Sequence, residues 1–331
     1  MNHAEIDEIV LNIRKMHKEM RQAILKSRKE HSVSGALVAS EEEEDTIYSI
    51  DRTSEEALLE LAEKYLGNKR KVTIIAEGIE KRVIGSGSGE PLRIIFDPID
   101  GTRTFIYDKR PAWILTGVAE DYGDKTNLTH IFLAVMTEIP ITKQWRADQF
   151  WAVKGKGAFG IGEDVTGIKK EIKLSPSPSK AKDLNHCFAQ ISRFFPGTKV
   201  EVSEIEEELF KKLLSDTAWG RGNVFEDQYT STGGQIYELI SGKDRFIADI
   251  RSLFIKKWEG KSKLLCSHPY DICTELIARE AGVIIEKPDG GVLDYPLNTK
   301  EDISWCGYAN KFIYELVAPL FKEILKKKGL I

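Results

Sequence analysis

The apolar run from Leu92 to Phe96 has the length and composition of a β-strand, and it stops at Asp97-Pro98-Ile99-Asp100-Gly101-Thr102. Side chains alternate between the two faces of a strand, so carboxylates at i and i+3 diverge if the strand simply continues. Pro98 has no N–H to give the ladder, which turns the chain and lets Asp97 and Asp100 converge on one spot. Converging carboxylates repel, and a hard cation relieves them. Magnesium suits this role, because it takes oxygen ligands from several segments and keeps some of its waters. A helical turn starting at Gly101-Thr102 would offer free N–H groups to a phosphate beside the metal. Two acids and an anion site within six residues are what metal-assisted phosphate hydrolysis requires. The plainer alternative is an Asp-rich turn that caps a helix and does no chemistry. A phosphatase with an aspartyl nucleophile is a poor match, since that signature has acids at i and i+2 before Gly-Thr and position 98 is Pro98.

Around this segment the hydrophobic pattern predicts a mixed fold. Ile6, Ile9, Val10, Ile13, Met20 and Ile24 recur at helical spacing, and Thr53 with Glu56 reads as a capping box starting a helix that Gly67 ends. Val72–Ala76, Leu92–Phe96, Trp113–Ala119, Ile131–Met136 and Gln149–Val153 read as strands. Gly85 to Gly89 imitates a phosphate loop but lacks the Lys-Ser/Thr and helix that should follow, which leaves a flexible connector. Leu174 to Ser179 has linker composition, so the domains are drawn as residues 1–178 and 179–331. In the second, helical segments (Glu204–Leu214, Gly234–Ser241, Ile272–Ala281, Lys311–Lys326) alternate with short strands, as in an α/β unit.

Composition narrows the function class. A net charge of −4 without a strong basic tract argues against a nucleic acid polymer as partner. No apolar stretch approaches the roughly 20 residues of a membrane span, and Met1 to Lys29 is charged throughout, unlike a secretory signal. Cys187, Cys266, Cys273 and Cys306 lie far apart with no CxxC pair, which reads as reduced thiols. A cytoplasmic enzyme acting on a small phosphorylated metabolite fits all of this.

The segment Asp97 to Thr102 resembles the signature of the inositol monophosphatase superfamily, magnesium-dependent and often lithium-sensitive phosphatases. Other segments resemble that family in the right order: Ile74-Ile75-Ala76-Glu77, Trp151 to Phe159, His268-Pro269-Tyr270-Asp271 with Ala281-Gly282, and Ala309-Asn310. The resemblance implies a layered α-β-α-β-α sandwich, an antiparallel-sheet domain followed by an α/β domain, and a homodimer. It implies that Glu77, Asp97 and the carbonyl of Ile99 hold one magnesium, and that Asp97, Asp100 and Asp271 hold a second. Asp51 and the Thr102 hydroxyl would position the attacking water, and Asp100, Gly101, Thr102 and Arg103 would meet the substrate. Asp271 in this motif begins a helix. Each acid has a plain alternative: Glu77 a solvated strand end, Asp271 a helix cap, Asp51 a cap for the helix near Thr53. The run Glu41 to Asp45 either helps a third magnesium or is a solvated loop.

Substrate identity stays open. Thr102-Arg103-Thr104-Phe105 is more similar to histidinol-phosphatase-like members, and Arg103 either faces a second anionic group or lies on the surface. Inositol-preferring enzymes carry a Glu a few residues before the Asp matched here by Asp271, where this chain reads Leu264-Leu265-Cys266-Ser267. The stretch with Arg251, Lys256, Lys257, Lys261 and Lys263 is either a lid favouring an anionic substrate or a solvated basic loop. Ser231 to Gln235 replaces the family's usual Gly-Ser-Ala-Ala run. Inositol phosphate is thus the default, with histidinol phosphate, fructose-1,6-bisphosphate and adenosine 3′,5′-bisphosphate as alternatives. A non-catalytic sugar-phosphate-binding regulator is the alternative of another class.

Overall fold

The computed structural model describes residues 1–30, 38–41, 46–79, 81–167, 171–215, 220–258 and 264–331, with side chains described at all of these except 30, 38–41 and 46–53. The helices are α1 (His3–Glu30), α2 (Ser49–Ala62), α3 (Thr102–Ile106), α4 (Lys199–Leu213), α5 (Thr232–Ile240), α6 (Arg251–Lys257), α7 (Glu275–Ala281) and α8 (Lys311–Lys327). The strands are β1 (Val38–Glu41), β2 (Thr46–Tyr48), β3 (Arg70–Ala76), β4 (Arg82–Asp100), β5 (Ala112–Glu120), β6 (Ile131–Ile139), β7 (Arg146–Val153), β8 (Ala158–Asp164), β9 (Ile172–Leu174), β10 (Cys187–Ile191), β11 (Val224–Phe225), β12 (Asp244–Asp249), β13 (Ile284–Glu286) and β14 (Trp305–Tyr308).

Two sheets carry the architecture. The first runs β3-β4-β5-β6-β7-β8-β9 in chain order and is antiparallel from β4 onward. The second has the order β11-β10-β12-β14-β13, with β10 parallel to β11 and β12, and β14 antiparallel to β12 and β13. Strand alternation sorts the apolar side chains into layers. Ile74, Ile94 and Ile114 pack with α1 and α2, while their neighbours Ile75, Ile95 and Leu115 pack with Ile236, Tyr237, Leu276 and Ile277 of α5 and α7. That middle layer also contacts Ile247, Ile285 and Trp305 of the second sheet, whose other face, with Phe246 and Tyr308, packs on α4 and α8. The result is the α-β-α-β-α sandwich that the sequence resemblance implied.

Helix α1 is fixed by its apolar stripe (Ile9, Ile13, Met16, Met20 and Ile24 are buried) and by one polar residue under it. The fully buried His17 ring lies 2.6 Å from the Thr116 hydroxyl and 2.9 Å from that of Thr137. Burial, with a smaller contribution from Arg21, pushes its pKa down to about 3, so it is a neutral cross-brace.

Three expectations need correction. Helix α2 begins at Ser49, four residues ahead of Thr53, which lies within it. The Gly85–Gly89 segment is no connector: Arg82–Ile84 pairs along one edge of β3 (Ile74↔Arg82, Val72↔Ile84) and Leu92–Phe96 along the other (Val72↔Leu92, Ala76↔Phe96), with the glycines inside β4 between them. A Cβ on Gly87 would sit 2.1 Å from the carbonyl carbon of Lys69, so glycine serves close backbone approach there. Third, the helix after Asp271 starts at Glu275, after a turn through residues 271–274.

The break at Pro98 has a specific form. Asp97 lies opposite Leu115 and Asp100 opposite Trp113, so three steps on β4 face two on β5. The extra residue is a bulge, and it returns Asp100 to the face that Asp97 occupies. Leu115 and Trp113 both point into the middle layer, and the two carboxylates therefore face the region between the sheets.

Candidate active site

A cavity of about 280 Å³ opens at that point. The end of β3 brings Glu77, the bulge of β4 brings Asp97 and Asp100, and the turn before α7 brings Asp271. Oxygen atoms of Asp97, Asp100 and Asp271 lie within 4.8 Å of one another. Glu77 is half-buried at the cavity wall, where its charge raises the pKa of Asp97. Thr102 and Arg103, on the first turn of α3, line the same space, and the exposed Arg103 stands at its rim.

Backbone geometry aims these groups. Gly101 adopts φ 93° at the start of α3, a left-handed conformation that glycine takes at no steric cost. The Ile99 N–H donates to Asp97 Oδ1 at 3.0 Å, and the Thr102 hydroxyl donates to the Ile99 carbonyl at 2.8 Å. Asp100 Oδ2 accepts from the Ser231 hydroxyl at 2.8 Å and from the Gly233 N–H at 2.5 Å, at the N-terminus of α5. Asp271 Oδ2 accepts from the His268 N–H at 2.5 Å.

The electrostatics are those of an anion-crowded site. Burial raises the pKa of Asp97 well above the usual carboxylate range, and the charges of Glu77, Asp100 and Asp271 push it further. Asp100 is pushed up to about 7 by burial, against the hydrogen bonds it accepts from Gly233 and Ser231. Asp271, which lines the cavity, is likewise raised well above its usual value, by burial and then by Asp100. Hard oxygen donors, close together and held against their ionisation preference, fit a hard cation, and neither Cys nor His belongs to the set.

This arrangement makes metal-free stability depend on pH. Asp100 titrates near 3.8 unfolded and near 7 folded. The folded state therefore binds more protons between those values, and stability falls as pH rises from about 4 to about 7. Buried Glu138, Glu206 and Asp244, each at about 7, act in the same direction, and His17 opposes them. Added magnesium should therefore raise the melting temperature more at pH 8 than at pH 5, measured by thermal melts after EDTA treatment. An equal gain at both pH values would contradict a cation site built from these acids.

Asp51 lies on α2, and its side chain is outside the described residues, as are residues 42–45 of the acidic run proposed for a third metal. Two features escaped the sequence reading. Asp249, at the end of β12 and 22 residues before Asp271, is buried behind the cavity wall and accepts from the hydroxyl of Ser267, in the stretch where no acid was expected, at 2.9 Å. It is ion-paired with Arg251, whose Nε donates to Oδ1 at 2.9 Å and Nη2 to Oδ2 at 2.5 Å. Arg251 is thus a buried brace rather than part of a lid, and Lys257 turns away to the carbonyl of Lys328 at 2.8 Å; Lys261 and Lys263 lie outside the described residues. Phe194 and Phe195, after β10, also line the cavity. Only the adjacent pair of aromatic residues marked them in the sequence.

The model of the inositol monophosphatase family matches residues 5–326. The chain belongs to this family. A fructose-1,6-bisphosphatase/inositol-1-monophosphatase of Methanothermobacter thermautotrophicus is 24% identical over 260 residues, 77% of each chain. Among solved structures, the fructose-1,6-bisphosphatase of Leishmania major superposes with a TM-score of 0.67 at 16% identity, covering 98% of this chain and 96% of that one. An extragenic suppressor protein SuhB of Bartonella henselae gives 0.64 at 16% identity, over 95% and 98% of the two chains. These similarities show the fold. Family membership makes the protein a phosphatase, a phosphoric monoester hydrolase, in a family that is generally metal-dependent and acts on small phosphorylated substrates. Among the described residues no helix is long and apolar enough to cross a membrane.

Proposed function

We propose that the protein hydrolyses a small phosphate monoester with magnesium as cofactor. The observation that carries this reading is the convergence of Asp97, Asp100 and Asp271 in one cavity, with their carboxyl oxygens within 4.8 Å. Glu77, Asp97, Asp271, Asp100 and the Ile99 carbonyl are the ligand set. Bound there, two magnesium ions (with a third as an addition) lower the pKa of water and neutralise phosphate charge.

The chain's own residues do the remaining work. The N–H groups of Gly101 and Thr102 bind phosphate oxygens, and Arg103 adds positive charge at the rim. Thr102 and Asp51 orient the attacking water. Ser231 and Gly233 hold Asp100 in place by the hydrogen bonds described above. As the water oxygen bonds to phosphorus, the ester P–O bond breaks and a proton ends on the leaving oxygen. A division at residue 178, a homodimer, lithium sensitivity and a cytoplasmic location belong to the same reading.

Inositol phosphate is the default substrate, and fructose-1,6-bisphosphate is the second, favoured by the name of the Methanothermobacter relative. A magnesium-supported screen of inositol phosphates, fructose-1,6-bisphosphate, histidinol phosphate and adenosine 3′,5′-bisphosphate, with lithium as inhibitor, tests it. Release of phosphate from at least one is expected. No release from any would favour a sugar-phosphate-binding regulator.

A further inference from the structure

We propose that the cavity wall selects phosphate monoesters whose leaving group carries an aromatic ring, in preference to polyol phosphates. This rests on the phosphatase reading above and puts another substrate class in the place of inositol phosphate.

Strands β10 and β12 are parallel, with Ile191 beside Ala248, so their carboxyl ends open on the same side. Ligands of α/β sheets bind beyond such ends. Past β10 stand Phe194 and Phe195, half-buried and lining the cavity, with ring centroids 6.4 Å apart and planes tilted by 58°. Past β12, the Arg251 guanidinium carbon lies 4.9 Å from the Phe194 centroid and 5.2 Å from that of Phe195. This cation–π contact braces both rings against a side chain that is itself locked. Leu265, Cys266 and Tyr270 extend the same lining.

The charged pair behind the two rings is engaged within the protein. Asp249 accepts four hydrogen bonds, from the backbone N–H, Nε and Nη2 of Arg251 and from the Ser267 hydroxyl. Arg251 Nη1 donates to the Leu265 carbonyl at 2.7 Å. A polyol laid on the rings of Phe194 and Phe195 leaves the hydroxyls of that face without partners, which weakens binding. A flat ring instead meets aromatic and aliphatic carbon. Stacking on aromatic side chains strengthens binding by between about five- and about 150-fold.

The test uses three alkyl phosphates of comparable leaving-group basicity: benzyl phosphate, inositol 1-phosphate and glycerol 2-phosphate, assayed with magnesium. We expect wild-type kcat/KM for benzyl phosphate to exceed that for inositol 1-phosphate by at least about tenfold. In the Phe194→Leu/Phe195→Leu variant, which keeps apolar bulk but loses the flat faces, the ratio of benzyl to glycerol kcat/KM should fall by about tenfold. The single variant Phe195→Leu carries the same comparison if the double variant does not fold. A wild-type preference for inositol 1-phosphate, or an unmoved ratio in a folded variant, overturns the proposal while leaving the phosphatase reading intact. No turnover of any of the three by wild-type protein counts against both.

Discussion

Asp97→Asn is expected to lower kcat on the order of 10³-fold, about 4 kcal/mol of transition-state stabilisation, while leaving the metal-free protein more stable than wild type. The two effects share one cause. Asp97 is buried between Glu77, Asp100 and Asp271, and its pKa is raised by burial and by all three charges. Asn keeps the shape and the acceptor for the Ile99 N–H but carries no charge. Removing the charge relieves the crowding that a cation otherwise relieves, and also removes the ligand common to both proposed metal positions. Steady-state kinetics with magnesium and thermal melts in EDTA read the two halves separately. A lower melting temperature for the variant in EDTA would mean that Asp97 contributes to folding through interactions other than those described.

Arg251→Met is expected to destabilise the protein by about 3–5 kcal/mol, because it strands Asp249 as a buried, unpaired carboxylate. The exposures of the two side chains, 6% and 1%, leave water little access to compensate. The same change removes the donor to the Leu265 carbonyl in the cavity wall and loosens Ser267, which keeps only Asp249 and Thr232 as partners, so turnover should fall as well. Combining it with Asp249→Asn should recover part of the lost stability, since no charge is then stranded. Urea denaturation of the single and double variants measures this. A single variant as stable as wild type would show that the pair is dispensable.

The parts of the molecule that were legible in the sequence are those whose physics is local. The apolar runs Val72–Ala76 and Leu92–Phe96 read as strands, and the structure has them in β3 and β4. Pro98 announces a break in β4, and the bulge opposite Leu115 and Trp113 is how the fold makes Asp97 and Asp100 share a face. Asp271 was legible through its motif, although its helix starts only at Glu275.

What sequence did not show depends on partners brought from far away. Asp249 ends a strand that is brought behind Ser267 of the cavity wall by the pairing of β12 with β10 and β14. Arg251 reads as one cation in a basic stretch until its carboxylate partner is known, and then it becomes an internal brace. The Gly85–Gly89 run misled for a related reason: glycine marks flexibility and close approach alike, and only the backbone at Lys69 distinguishes them.

The central claim is that the acids at the end of β4 and before α7 form a metal-dependent phosphatase site. Phosphate release should be followed with magnesium, after chelation by EDTA, and after magnesium is restored. Wild-type turnover should vanish on chelation and return with magnesium, and with magnesium present Asp97→Asn should stay on the order of 10³-fold below wild type. Turnover that persists in EDTA, or an Asp97→Asn variant that works at the wild-type rate, would contradict it.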